Sequence, residues 1–138
     1  MQDPANLGAI CRSAEALGLD GLIVGGGCDI YNPKALRAAM GSSLRLNIIS
    51  APALDGLIDK ANSMGMLTLA SVPRSTAVDI RKVSMNGGVI CCVGNEGSGL
   101  SDRVIEKCKM QVVIPMNGRA ESFNAAAAAA ILAWELKR

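Results

Sequence analysis

Val89-Ile90-Cys91-Cys92-Val93-Gly94-Asn95-Glu96-Gly97-Ser98-Gly99-Leu100-Ser101 decides the fold of this 138-residue chain. Gly88 to Val93, with its apolar run from Val89, reads as a buried strand. The glycines after it make a sharp loop, and Ser101 caps a helix that reaches about Cys108. A second stretch repeats the pattern. Met110 to Ile114 is a strand, Pro115-Met116-Asn117-Gly118 turns, and Ser122-Phe123-Asn124 opens an alanine-rich helix to Leu136. Strand, loop and helix in that order bring a ligand against bare backbone at the carboxyl end of a sheet. Glycine suits such loops because it reaches positive φ at low cost and lets main-chain atoms approach a ligand. Two such loops in one small domain point to a nucleotide-like ligand held between them.

Outward from these loops the chain alternates. Asn6 to Leu17 reads as a helix with Pro4 near its start and Gly18 at C′. Leu19 to Val24 is a strand, and Asn32-Pro33 begins a helix through Met40, asparagine as cap and proline at N1. Leu46 to Ile49 is a strand, Pro52 to Met64 a helix closed by Gly65, and Met66 to Ala70 another strand. Five strands alternating with helices predict an α/β domain with a parallel sheet and flanking helices.

Composition narrows the chemistry. A formal charge of +2 permits an anionic partner without announcing one. The five cysteines are Cys11, Cys28, Cys91, Cys92 and Cys108, with no Cys-x-x-Cys pair. That odd, irregular set argues against a disulfide framework and for the reducing cytoplasm. Without histidine, His-based triads and His-ligated zinc are ruled out, and no metal is expected. No apolar run approaches the ~18 residues of a membrane span. Cys91 and Cys92 lie in a hydrophobic run and read as core residues.

The dinucleotide fold is the obvious rival, and the glycine order opposes it. Its Gly-x-Gly-x-x-Gly sits at the first strand-to-helix turn. Here Gly94-x-x-Gly97-x-Gly99 comes late, and no Gly-Lys-Ser/Thr follows either loop, which removes a P-loop too.

Three ordered motifs now stand out. The first is Asp3-Pro4-Ala5-Asn6-Leu7-Gly8-Ala9-Ile10-Cys11-Arg12-Ser13-Ala14, closing with Ala16-Leu17-Gly18. The second is Val93 to Ser101. The third is Ile114-Pro115-Met116 followed by Glu121-Ser122-Phe123-Asn124-Ala125. Together with Asn32-Pro33-Lys34 and Arg37-Ala38-Ala39-Met40-Gly41, they resemble the SpoU-like (TrmH-type) branch of the SPOUT RNA methyltransferases over nearly the whole chain. The resemblance implies an α/β knot fold, in which the C-terminal segment threads a loop to form a deep trefoil knot. General topology rules would not suggest a knot. It also implies a homodimer, S-adenosylmethionine as methyl donor, and methylation of a ribose 2′-hydroxyl in rRNA or tRNA. Residues 1–138 would be one catalytic domain. Gln2-Asp3-Pro4 reads as a loop leaving a strand, so a first strand and any N-terminal RNA-binding domain are expected to be missing.

The same resemblance assigns residues. Gly94, Asn95, Gly97, Ile114, Met116 and Phe123 would form the adenosine pocket, with Ser71 lining it from the end of an earlier strand. Phe123 stands where leucine is more familiar in the family. Arg12, Asn6, Glu96, Ser122 and Asn124 would gather at the methyl-transfer site. Arg12 lies three positions before Glu15, so a surface ion pair is its plain alternative. A guanidinium hardly deprotonates, so stabilising a developing alkoxide or holding a phosphate suits Arg12 better than acting as base. Glu96 would orient Arg12 or accept the hydroxyl proton. Capping explains Asn6, Ser122 and Asn124 locally, and helix-start charge preference explains Glu96. Two other readings stay open: a cofactor-binding or dimerising module without catalysis, and a nucleotide-binding oxidoreductase domain.

Overall fold

The computed structural model describes residues 1–138. The backbone divides into two compact units, Met1–Pro52 with Ala125–Arg138, and Ala53–Asn124.

The first unit opens with α1 (Pro4–Ala16). Pro4 occupies N1, where its missing N–H costs nothing, and the Asp3 carboxylate accepts from the Ala5 N–H at 2.9 Å. The helix therefore starts two residues before the expected Asn6. It ends as expected: Gly18 adopts φ +74°, the Leu19 N–H donates to the Ala14 carbonyl, and the Gly18 N–H to that of Glu15. This paired closure satisfies carbonyls that the helix end leaves open. β1 (Leu22–Val24) pairs in parallel with β2 (Ile48–Ser50). Between them, α2 (Pro33–Ala39) is capped by Asn32, whose side chain accepts from the Lys34 N–H at 2.9 Å. A single 3-10 turn, Ser42–Leu44, follows it.

α1 packs on α2 and on the last helix, α5 (Ala125–Lys137). The α1–α2 approach explains Gly8. A Cβ there would stand 2.3 Å from the Ala35 carbonyl oxygen and 2.7 Å from the Ala38 Cβ. Leu7, Cys11, Ile30 and Ala39 form the core of this unit, with Leu22, Val24 and Ile48 packed against them.

The second unit holds α3 (Leu54–Ser63), β3 (Leu67–Ser71), β4 (Val78–Asp79), β5 (Val89–Cys92), α4 (Asp102–Lys107) and β6 (Met110–Val113). Its sheet runs β4-β6-β3-β5, parallel at every pairing. Gly65, at φ +81°, closes α3 with the same paired bonds that close α1. Ile58, Ala70, Val72, Val104, Ile105 and Cys108 make its core. One buried polar cluster ties three elements together. The Thr68 hydroxyl donates to Asn62 Oδ1 at 2.6 Å and accepts the Lys109 N–H at 2.9 Å, while Asn62 Nδ2 donates to the Lys107 carbonyl at 2.8 Å.

The parallel α/β reading therefore holds, but not as five strands in one sheet. The strands form two sheets, and a sixth, two-residue strand edges the larger one. An apolar run signals burial; it does not say which strand lies beside it. The closing helix also begins at Ala125 and not at Ser122, so Ser122 lies outside it and Asn124 immediately precedes it.

Candidate functional site

In the second unit β3 is flanked by β5 and β6, and all three run the same way. Ala70 is level with Cys92, and Ser71 with Val112. The Val72 N–H donates to the Val112 carbonyl at 2.9 Å, carrying the ladder one residue further. Three chain segments consequently leave one edge of the sheet side by side: that after Ser71, the Val93–Ser101 loop, and the segment beginning at Ile114. This is the edge at which open parallel sheets bind ligands.

The Val93–Ser101 loop is shaped by its own side chains. Asn95 Oδ1 accepts from the Gly97 N–H at 3.0 Å, the Ser98 N–H at 2.8 Å and the Ser98 hydroxyl at 3.2 Å. The Gly99 N–H donates back to the Asn95 carbonyl, closing a small antiparallel bridge. Asn95 thus acts through loop shape, its side-chain oxygen already engaged. Ser101 caps α4 as expected, accepting the Val104 N–H at 3.3 Å.

The glycines of this loop separate by cause. A Cβ on Gly94 would meet the Gly99 carbonyl carbon at 2.3 Å, so the loop's own closure requires glycine there. Gly99 sits at φ +69°, a left-handed backbone. Gly97 has neither constraint: the nearest atom to a Cβ on it is Asn95 Oδ1, at 3.8 Å. The fold accounts for glycine at positions 94 and 99 and makes no steric demand for it at 97.

Ile114 and Met116 are half-buried after β6, and Phe123 is 41% exposed. Phe123 follows Gly118 by five positions and leaves a large aromatic surface open to solvent. Glu96 is exposed in the first loop, and Ser122 and Asn124 are exposed ahead of α5.

Asn6 and Arg12 belong to α1, in the first unit. Six positions rotate a helix by about 240°, which puts them on opposite sides of the buried Leu7–Cys11–Ala14 stripe. Asn6 is half-buried and Arg12 exposed. The ion pair that Arg12 could have made is taken: Glu15 is held by Arg45 through Nε, and through Nη2 at 3.0 Å. Hydrogen bonds from Arg45 and Ser42 keep the Glu15 carboxyl below its usual range. No carboxylate lies within ion-pair distance of Arg12.

Among the cysteines, burial pushes the Cys91 thiol up to about 12 and raises that of Cys11. Contact with Cys108, whose sulfur is 4.0 Å away, raises Cys92. None of these three is poised as a nucleophile at neutral pH. No helix is long and apolar enough to cross a membrane.

The model of the SpoU rRNA Methylase family matches residues 1–134. The 23S rRNA (guanosine(2553)-2′-O)-methyltransferase of Bacillus subtilis is 34% identical over 99% of this chain and 55% of its own length. The 23S rRNA (uridine(2479)-2′-O)-methyltransferase of Streptomyces viridochromogenes is 34% identical over 98% of this chain and 49% of its own. The crystal structure of the SpoU methyltransferase AviRb from Streptomyces viridochromogenes, in complex with AdoMet, is similar at a TM-score of 0.88 and 32% identity. It covers 98% of this chain and 53% of the AviRb chain. The chain spans about half the length of these relatives. With three motifs in order, parallel α/β architecture and a family match across almost every residue, the chain belongs to the SpoU rRNA methylase family.

Proposed function

We propose that this chain carries the methyl-transfer chemistry of an S-adenosylmethionine-dependent enzyme that acts on a ribose 2′-hydroxyl of rRNA or tRNA. One observation supports this most strongly. The segments after Ser71, Val93 and Ile114 leave adjacent parallel strand ends, and Gly97 is bare where the fold does not need it to be.

These residues fit the cofactor. Backbone groups at Gly94 and Gly97 and the apolar side chains of Ile114, Met116 and Phe123 would hold its adenosine, with Ser71 alongside and Asn95 fixing the loop. Bound S-adenosylmethionine supplies an electrophilic methyl group on sulfur. The chain's own residues do the rest. Arg12, exposed and without a carboxylate partner, would stabilise negative charge developing on the 2′-oxygen or hold the adjacent phosphate. Glu96 would accept the hydroxyl proton or orient Arg12, and Asn6, Ser122 and Asn124 would position the ribose.

The reading extends to one catalytic domain over residues 1–138, a homodimer using α1 and α5, and a cytoplasmic location. Trp134, 61% exposed on α5, supports the dimer. Insertion of β6 between β3 and β4, both earlier in the chain, supports the C-terminal knot.

Two measurements test the proposal. Calorimetry with S-adenosylmethionine should give saturable binding. Incubation of rRNA and tRNA with methyl-labelled donor should produce a label whose 3′ phosphodiester resists alkali, as 2′-O-methylation requires. Binding without transfer would favour the non-catalytic module; absence of binding would discard the reading.

A further inference from the structure

The corner between α2 and β2 has its polarity reversed. Ser42 and Ser43 are 3% and 6% exposed, whereas Met40 and Leu44, on either side of them, are 65% and 81% exposed. Packing alone would favour the opposite arrangement. The backbone is committed to it: Met40 is the one non-glycine residue with positive φ, at 52°, and Gly41 follows at 86°. Two consecutive left-handed residues reverse the chain into the Ser42–Leu44 turn and leave the Met40 side chain outside. A non-glycine residue in that conformation is uncommon, and here it closes α2, its N–H donating to the Arg37 carbonyl at 3.3 Å.

Charge identifies what covers this corner. Residues 30–54 contain no aspartate or glutamate, and their charged residues are Lys34, Arg37 and Arg45. Arg45 is paired with Glu15. Lys34 and Arg37 lie one turn apart on the outer side of α2, exposed, while Ala35 and Ala39 face inward. A second copy meeting this face about a two-fold axis would set these cations against themselves. A polyanion with unstacked apolar faces satisfies both features.

We propose that α2 and this corner form a contact for single-stranded RNA, in which Lys34 and Arg37 neutralise phosphates while Met40 and Leu44 pack against a splayed base. The inference rests on the RNA-directed reading above and adds where RNA touches the chain. Single-stranded segments are the form in which bases can be splayed and packed against side chains.

The test uses a fluorescein-labelled single-stranded RNA of mixed sequence, titrated at several salt concentrations. The Lys34→Gln/Arg37→Gln variant should flatten the plot of log affinity against log salt by about 1.4, or ~0.7 per lost phosphate contact. Met40→Gly, which suits the left-handed backbone, combined with Leu44→Ser should weaken binding about tenfold, the scale of re-exposing one large apolar side chain, and leave the slope unchanged. S-adenosylmethionine affinity, measured alongside, should stay the same in both. Wild-type slope and affinity in both variants would overturn the proposal. So would sedimentation showing that either variant dissociates a dimer, which would give the face to a second copy. If the unaltered chain binds S-adenosylmethionine but not this RNA, the contact alone is refuted; if it binds neither, the reading beneath falls too.

Discussion

Glu15 and Arg45, 30 positions apart in sequence, share two hydrogen bonds: Arg45 Nε to one carboxylate oxygen, and Nη2 to the other at 3.0 Å. The pair links the last turn of α1 to the residue after the Ser42–Leu44 turn. It also settles a competition, because Glu15 is the carboxylate that Arg12 would otherwise have used. A guanidinium with no partner on an exposed helix face is available to an anionic substrate.

Arg12→Ala should therefore leave S-adenosylmethionine affinity nearly unchanged while lowering turnover at least ~100-fold, the effect of removing one strong transition-state contact. Arg12→Lys should recover little, because an ammonium lacks the planar fork. Calorimetry and single-turnover methylation of the same preparations give both numbers. Substantial turnover in the alanine variant would reduce Arg12 to an ordinary surface charge.

Gly94 and Gly97 should respond differently to substitution. Gly94→Ala places a methyl group against the Gly99–Leu100 backbone and should lower the melting temperature. A Cβ at Gly97 has room in the protein alone, so Gly97→Val should melt close to the wild type, yet lose S-adenosylmethionine binding. Thermal melts with and without the cofactor separate the two. Unimpaired binding by the valine variant would remove Gly97 from the pocket.

Thr68→Val removes the hydroxyl that accepts from the Lys109 N–H and donates to Asn62. Both partners stay in place at a fully buried position, so unfolding free energy should fall by ~1–3 kcal/mol. Urea denaturation monitored by circular dichroism measures it, and a change near zero would mean that water reaches the site.

The Glu15 carboxyl is held low by Arg45 and Ser42, and such a depressed group stabilises the fold above its unfolded pKa. That contribution is lost as pH falls through the ordinary carboxylate range towards the folded pKa. The melting-temperature gap between wild type and Glu15→Gln should thus be constant near neutrality and close in acid. It should be small throughout, since the pair is exposed to solvent. A gap that widens in acid would contradict the assignment.

Much of this protein was legible along the chain. Asp3-Pro4, Asn32-Pro33 and Ser101 start helices because caps and N1 prolines act on backbone groups within three residues. Gly18 and Gly65 end helices for an equally local reason. The parallel α/β class followed from apolar runs alternating with helices, and three motifs in order disclosed the family. Pairing was a different matter. That β3 lies between β5 and β6, that the strands form two sheets, and that Gly94 is bare for the loop's sake while Gly97 is not, depend on atoms distant in sequence. So do the partner of Glu15 and the reversed polarity around Ser42. Local signals decide where an element starts and stops, because hydrogen bonds near a helix end are short-range. Which side chains meet depends on packing among segments far apart in the chain, and only the tertiary structure decides it.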